Sequence, residues 1–120
     1  MGGVAEGVRL VNLTPHEITI YTDRGAVSIP PSGQVARVSV TTIEVARIGD
    51  IPINRVEYGE VEGLPEPQPN TYYIVSQLVL QALRSAGVSR QDILAPDTSP
   101  SSAVRDSEGR IIGVKALLTL

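Results

Sequence analysis

The stretch "TYYIVSQLVLQALRSAG", Thr71–Gly87, decides the fold class because its periodicity changes halfway along. Thr71–Ser76 is a β-branched and aromatic run of the kind that suits a strand. Ser76 then offers a hydroxyl as an N-cap, and Leu78, Val79, Ala82, Leu83 and Ala86 recur at helical spacing on one face. Gly87 stops the helix. No other segment carries a comparable helical stripe. One amphipathic helix among many strands must lay its apolar face on a sheet. The fold class expected is α+β: a mostly antiparallel sheet, one main helix packed on it, and a C-terminal β-hairpin.

Upstream of that stretch, "LPEPQPN" (Leu64–Asn70) has proline at every second position and reads as a stiff strap across the fold. Before it, "QVARVSVTTIEVARI" (Gln34–Ile48) is β-rich, but its alternation changes phase. Val38 and Val40 are even, whereas Ile43 and Val45 are odd, which places a bulge or bend near Thr41-Thr42. Gly49-Asp50 has glycine first, as a II′ turn requires, and "IPINRVEYG" (Ile51–Gly59) should return antiparallel. Earlier still, "VRLVNL" (Val8–Leu13) and "EITIYT" (Glu17–Thr22) are strands separated by Thr14-Pro15-His16. "DRG" then turns the chain into "AVSI" (Ala26–Ile29), and "PPSG" is a further turn. Residues 1–7 read as a flexible tail, and 8–120 as one domain.

Downstream, "SRQDIL" (Ser89–Leu94) has Ser89 and Asp92 at capping-box spacing and is expected to add a helical turn. "APDTSPSS" (Ala95–Ser102) reads as an irregular loop. "AVRD", a "DSEG" turn and "RIIGVKALLTL" complete the hairpin, with Gly109 at an αL position.

Composition bounds the function. The 120 residues contain no Cys, Phe or Trp, so disulfides, thiolate nucleophiles and Cys-ligated zinc are excluded. A net charge of −3 argues against a duplex-nucleic-acid binder but leaves room for a small anionic ligand gripped by a few arginines. Apolar runs are too short to span a bilayer, and the N-terminus lacks the charge and apolar core of a secretory signal. A cytoplasmic protein with no membrane partner is expected. A core of Val, Ile and Leu without large aromatics, together with exposed strand edges, favours self-association as a dimer or higher homo-oligomer.

Several residues are candidates for chemistry. His16, in "NLTPHEI", is the only histidine; it could close the strand bend by bonding a backbone carbonyl, contact a ligand, or act as a base. No nucleophile elbow, P-loop, dinucleotide fingerprint or metalloprotease motif accompanies it, so neither a catalytic set nor a metal or cofactor site is expected. In "VRDSEGRIIG", Arg105 and Arg110 flank a tight turn and could grip phosphate, or Asp106 could cap the turn and leave them solvated. Tyr72 and Tyr73 point to opposite faces of a strand: one for the core, the other a possible stacking platform. Arg90, Asp92 and Asp97 sit in a surface loop; Asp92 reads as a turn cap, whereas Asp97 has no evident structural duty.

The segments "NLTPHEI", "PSGQVARV", "GLPEPQPNTYYIVS", "RQDILAPD" and "VRDSEGRIIG" together resemble small proteins of bacterial and archaeal viruses and prophages, over about Leu10–Leu118. The pattern is also similar to the Thoeris anti-defence sponges. Those are viral proteins that sequester cyclic ADP-ribose-type immune signals, some of them also cyclic oligonucleotides, without cleaving them. The resemblance implies a non-enzymatic oligomer in the host cytoplasm, with ligand at subunit interfaces. On matching positions it implies ligand contacts from Arg105, Asp106 and His16, an aromatic face from Tyr73, and further contacts from Arg90 and Asp97. The alternative is a viral structural or protein-interaction protein with no small-molecule ligand.

Overall fold

Eleven elements form in chain order in the computed structural model, which describes residues 7–120. They are β1 (Arg9–Asn12), β2 (Ile18–Thr22), β3 (Gly25–Ile29), β4 (Arg37–Ile48), β5 (Ile51–Glu62), β6 (Thr71–Ile74), α1 (Gln77–Ser85), β7 (Ile93–Pro96), β8 (Ala103–Arg105), β9 (Ile111–Val114) and β10 (Leu117–Thr119). The expected tail lies outside the described residues except for Gly7. The class is α+β, mostly sheet, with a C-terminal hairpin of β8 and β9.

The strands divide among three sheets. A central sheet has the order β1-β6-β7-β10, a second has β3-β2-β9-β8, and β4 pairs only with β5. Antiparallel pairing holds within the three hairpins and between β7 and β10. Three pairings are parallel, β1 with β6, β6 with β7, and β2 with β9. These join segments far apart in the chain, which local alternation does not register.

The central sheet is covered on both faces. On one side Tyr73, Val75, Ile93 and Ala95 pack with Val79, Leu80 and Leu83 of α1 and with Val38 and Val61 at the base of the β4–β5 hairpin. On the other, Ile74, Leu94, Leu117 and Leu10 pack against Ile18, Ile20, Val27 and Ile29 of the second sheet. A strand buried on both faces needs apolar residues at consecutive positions. That is why "YIV", Tyr73–Val75 at the end of β6 and just beyond it, shows no alternation. Each fully buried Leu or Ile here contributes roughly 1.5–3 kcal/mol.

The helix forms as expected: the Ser76 hydroxyl accepts from the Val79 N–H at 3.2 Å, and Gly87 leaves it at φ +75°. Its buried stripe is Val79, Leu80, Ala82 and Leu83, while Leu78 and Ala86 are exposed. The face is rotated from the expected one because α1 is covered by the sheet on one side and by the β4–β5 base on another. "SRQDIL" adds no helical turn; its last two residues begin β7, and Ala95-Pro96 complete that strand.

The β4–β5 ribbon projects from the body. It accounts for extents of 56 × 39 × 22 Å and for a radius of gyration of 16.6 Å, against about 14 Å for a compact chain of this length. Its II′ turn is as expected, with Gly49 at φ +59° between the paired Ile48 and Ile51. The expected bulge at Thr41-Thr42 is not there, since register runs unbroken from Val40 to Glu44. The irregularities fall instead between Val38 and Val40, where β5 holds the extra residue, and between Glu44 and Ala46, where β4 does. The phase change in "VSVTTIEV" is therefore real: Val38 and Val40 face the body, and Ile43 faces away.

Candidate functional site

Because β1, β6 and β7 run parallel, their starts share one edge of the central sheet and their ends the other. The Pro-rich strap enters β6 and the Val88–Asp92 segment enters β7, so both meet at the starting edge. They enclose a groove of about 480 Å³ whose walls include Pro67, Asn70, Tyr72, Ser89, Arg90 and Asp92. That volume suits a nucleotide-sized molecule.

Arg90 is the fixed point of the groove. Its Nε and Nη2 donate to Asp92 Oδ1 and Oδ2 at 2.9 and 2.7 Å, a two-pronged pair that is mostly sheltered from solvent. The guanidinium carbon lies 6.0 Å from the centre of the Tyr73 ring, at the outer limit of a cation–π contact. The hydrogen bond from Arg90 holds the Asp92 carboxyl below its ordinary pKa, and the same bond raises that of Arg90. Asp92 thus positions an arginine instead of capping a helical turn, and its backbone carbonyl accepts from the Tyr73 N–H at 2.8 Å. Asn70, at φ +55°, takes a left-handed conformation that Asn tolerates better than most residues, and its carbonyl accepts from the Arg9 N–H.

The depressed Asp92 pKa has a consequence for stability. Full support from the pair is present above the ordinary carboxylate pKa near 4 and is lost as pH falls through the lower folded value. Asp92→Asn should cost about 2 kcal/mol at pH 7. It should also flatten the acid limb of a plot of melting temperature against pH. An unchanged acid limb would mean that the pair does not support the fold.

The two tyrosines divide as alternation requires, but Tyr73 is the core residue. It is 3% exposed, and its hydroxyl donates to the Glu66 carbonyl at 3.2 Å. Tyr73 therefore cannot offer the aromatic face expected of it; Tyr72, 37% exposed, lines the groove instead.

His16 and Asp97 lie at the opposite edge, where β1 and β7 end. The bend containing His16 is closed by Asn12, not by imidazole. Asn12 Nδ2 donates to the carbonyls of His16 and Ile29 at 2.8 and 3.0 Å, and its Oδ1 accepts from Thr14 N–H and Oγ1. The His16 ring is exposed and makes no hydrogen bond among the described residues. Asp97 does have a structural duty: it accepts from the Ser99 N–H at 3.0 Å, turning the chain out of β7.

Arg105 and Asp106 are occupied by their own turn. Asp106 Oδ1 accepts from the Glu108 and Arg110 N–H groups at 2.9 and 3.0 Å, and Oδ2 from Arg110 Nε at 3.3 Å. The Arg110 N–H is the main cause of a lowered Asp106 pKa. Arg105 Nη1 donates to the Gly109 carbonyl at 2.6 Å. Arg110 is shared between Asp106 and Glu108. The pairing of Ile20 with Val114 brings the His16 bend and this hairpin to the same edge of the second sheet. Between Glu17–Thr19, Ile111–Val114, Pro96 and Thr98 lies a smaller cleft of about 180 Å³. No hydrogen bond joins His16 to Arg105 or Asp106 among the described residues.

The six residues expected at one site thus fall at two edges. Arg90 is in the groove with Tyr73 behind it; His16, Asp97, Arg105 and Asp106 lie elsewhere. Reading the sequence by residue type left the platform open between Tyr72 and Tyr73, and missed Asn70 and the pairing role of Asp92. The Arg-x-Asp spacing was the available signal, since residues two apart in an extended segment share a side.

Comparison with protein-family models, with curated proteins and with solved structures returns no match to this chain. The functional reading therefore rests on the groove and on the residue pattern. Among the described residues no three His, Asp or Glu side chains come together as a metal site, and no helix is long and apolar enough to cross a membrane.

Proposed function

We propose that this chain is a non-enzymatic binding protein of viral or prophage origin that sequesters a small anionic nucleotide-type immune signal in the cytoplasm of the host cell. The observation that carries the reading is the groove: a guanidinium held rigid by Asp92, with its Nη1 edge left for an anion, beside an exposed Tyr72 ring. A cyclic nucleotide needs a cationic donor for phosphate and a flat face for its base. A sponge needs tight binding without transition-state complementarity, which suits a site built from one ion pair and one ring. The ligand contacts proposed are Arg90 and Tyr72, with Asn70 and Ser89 as polar wall.

The test is retention. The protein is incubated with cyclic ADP-ribose-type and cyclic oligonucleotide signals, washed and denatured, and the released ligand is identified by mass spectrometry. Intact ligand is expected. Arg90→Ala should weaken binding about 30- to 300-fold, as for a desolvated charged contact, and Tyr72→Ala about tenfold for a lost stacking face. Cleaved product, or full affinity in both variants, would sink the proposal. A viral structural or protein-interaction role is the second reading, favoured by the exposed apolar face of the β4–β5 ribbon. Presence of the protein in purified virions, without any retained signal, would establish it.

A further inference from the structure

We infer that the outer half of the β4–β5 ribbon is a self-association surface, packing face to face and antiparallel against the same ribbon of a second copy. This does not depend on the ligand reading. Cross-strand partners share a face, so the pairs Thr41–Glu57, Ile43–Arg55, Ala46–Ile53 and Ile48–Ile51 lie on one side of the ribbon. Val40–Tyr58, Thr42–Val56, Glu44–Asn54 and Arg47–Pro52 lie on the other. Side-chain contacts agree with this assignment: Glu44 pairs with Arg47, Arg55 with Glu57, and Tyr58 reaches Gln81 of α1. The second face is therefore the one turned to the body. The first face turns away from it, and there Ile48 and Ile51 are 66% and 65% exposed.

The sequence invests in that outward face. The change of phase after Val40 moves the apolar positions from the body side to the far side, and the extra residue at Val45 adds another apolar side chain near it. A two-stranded ribbon is marginal in water by itself, so an apolar outer face left bare would not sustain twelve-residue arms.

Area and hydropathy both point to a second copy as the occupant. The outward apolar side chains of one ribbon expose on the order of 500 Å², and two such faces together reach the roughly 1,000 Å² a specific interface must clear. Placing the two-fold axis at the Ala46–Ile53 pair sets Ile48 over the partner's Ile43 and Ile51 over the stem of the partner's Arg55. The surface is thus complementary to itself in hydropathy.

The absence of cysteine allows a face-specific test on the full chain. Packed ribbon faces lie about 10 Å apart, so thiols introduced by Ala46→Cys should be bridged by a short bis-maleimide into a covalent dimer. Thiols from Glu44→Cys, on the opposite face, should not be bridged, because both ribbons lie between them. Wild type should sediment at twice 12.7 kDa, and Ile48→Glu with Ile51→Glu should lose the dimer. Equal bridging of both thiols, no bridging of either, or a monomeric wild type at tens of micromolar would overturn the inference.

Discussion

Asn12→Ala should lower stability by about 3–4 kcal/mol and the melting temperature by about 15 °C. Asn12 is 1% exposed and closes two connections at once. Its amide donates to His16 O and Ile29 O, its carbonyl oxygen accepts twice from Thr14, and its backbone carbonyl accepts from Ser32 N–H and Oγ. Alanine keeps the backbone bonds but removes the donor to the Ile29 and His16 carbonyls and the acceptor for Thr14. The measurement is thermal and urea unfolding of the variant. Asn12→Asp separates hydrogen bonding from size, because an ionised carboxylate would face two carbonyls. Its folded pKa should rise, so its deficit should be greatest near pH 7 and shrink as pH falls toward 4. A loss below 1 kcal/mol for Asn12→Ala, or a pH-independent Asn12→Asp, would show that the bend is held by something else. His16→Ala, by contrast, removes no bond and should leave melting unchanged.

Gly113→Ala is expected to cost about 2–3 kcal/mol, as overpacking of a close strand contact does. A β-carbon there would stand 2.5 Å from Tyr21 Cε2 and 2.8 Å from the Thr19 carbonyl oxygen. The ring can move; the carbonyl belongs to β2 and cannot move without disturbing the parallel pairing of β2 with β9. Chemical denaturation of Gly113→Ala in the wild-type and Tyr21→Ala backgrounds distinguishes the two contacts. Removing the ring should recover about 1 kcal/mol, leaving the backbone clash as the remainder. Full recovery would assign the whole cost to the ring, and no cost at all would contradict the close approach of β9 to β2.

Both residues mark the limit of what pattern reading could reach. Asn12 stands inside an apolar strand next to the histidine that draws attention, and polar residues of its type are usually read as turn formers. Gly113 sits in a β run without a positive φ or a turn to signal it; only the facing Tyr21 makes it necessary. The same holds for the groove. Tyr72 and Tyr73 were bound to face opposite ways, but which one is covered depends on where α1 and the strap lie.

By itself the sequence determined what depends on neighbours along the chain. That includes the α+β class, the Ser76 cap and Gly87 stop of α1, the turns at Gly25, Gly49 and Gly109, and the phase change in β4. Each follows from backbone preference or from side-chain periodicity over a few residues. Tertiary structure alone decided the three parallel pairings, the division into sheets, the buried stripe of α1, the Arg90–Asp92 fork and the separation of His16 from the groove. Periodicity reports which face of a strand is apolar but carries no information about the partner that covers it. Partner choice is set by burial and backbone hydrogen bonding between segments tens of residues apart, as with Leu10 and Tyr72.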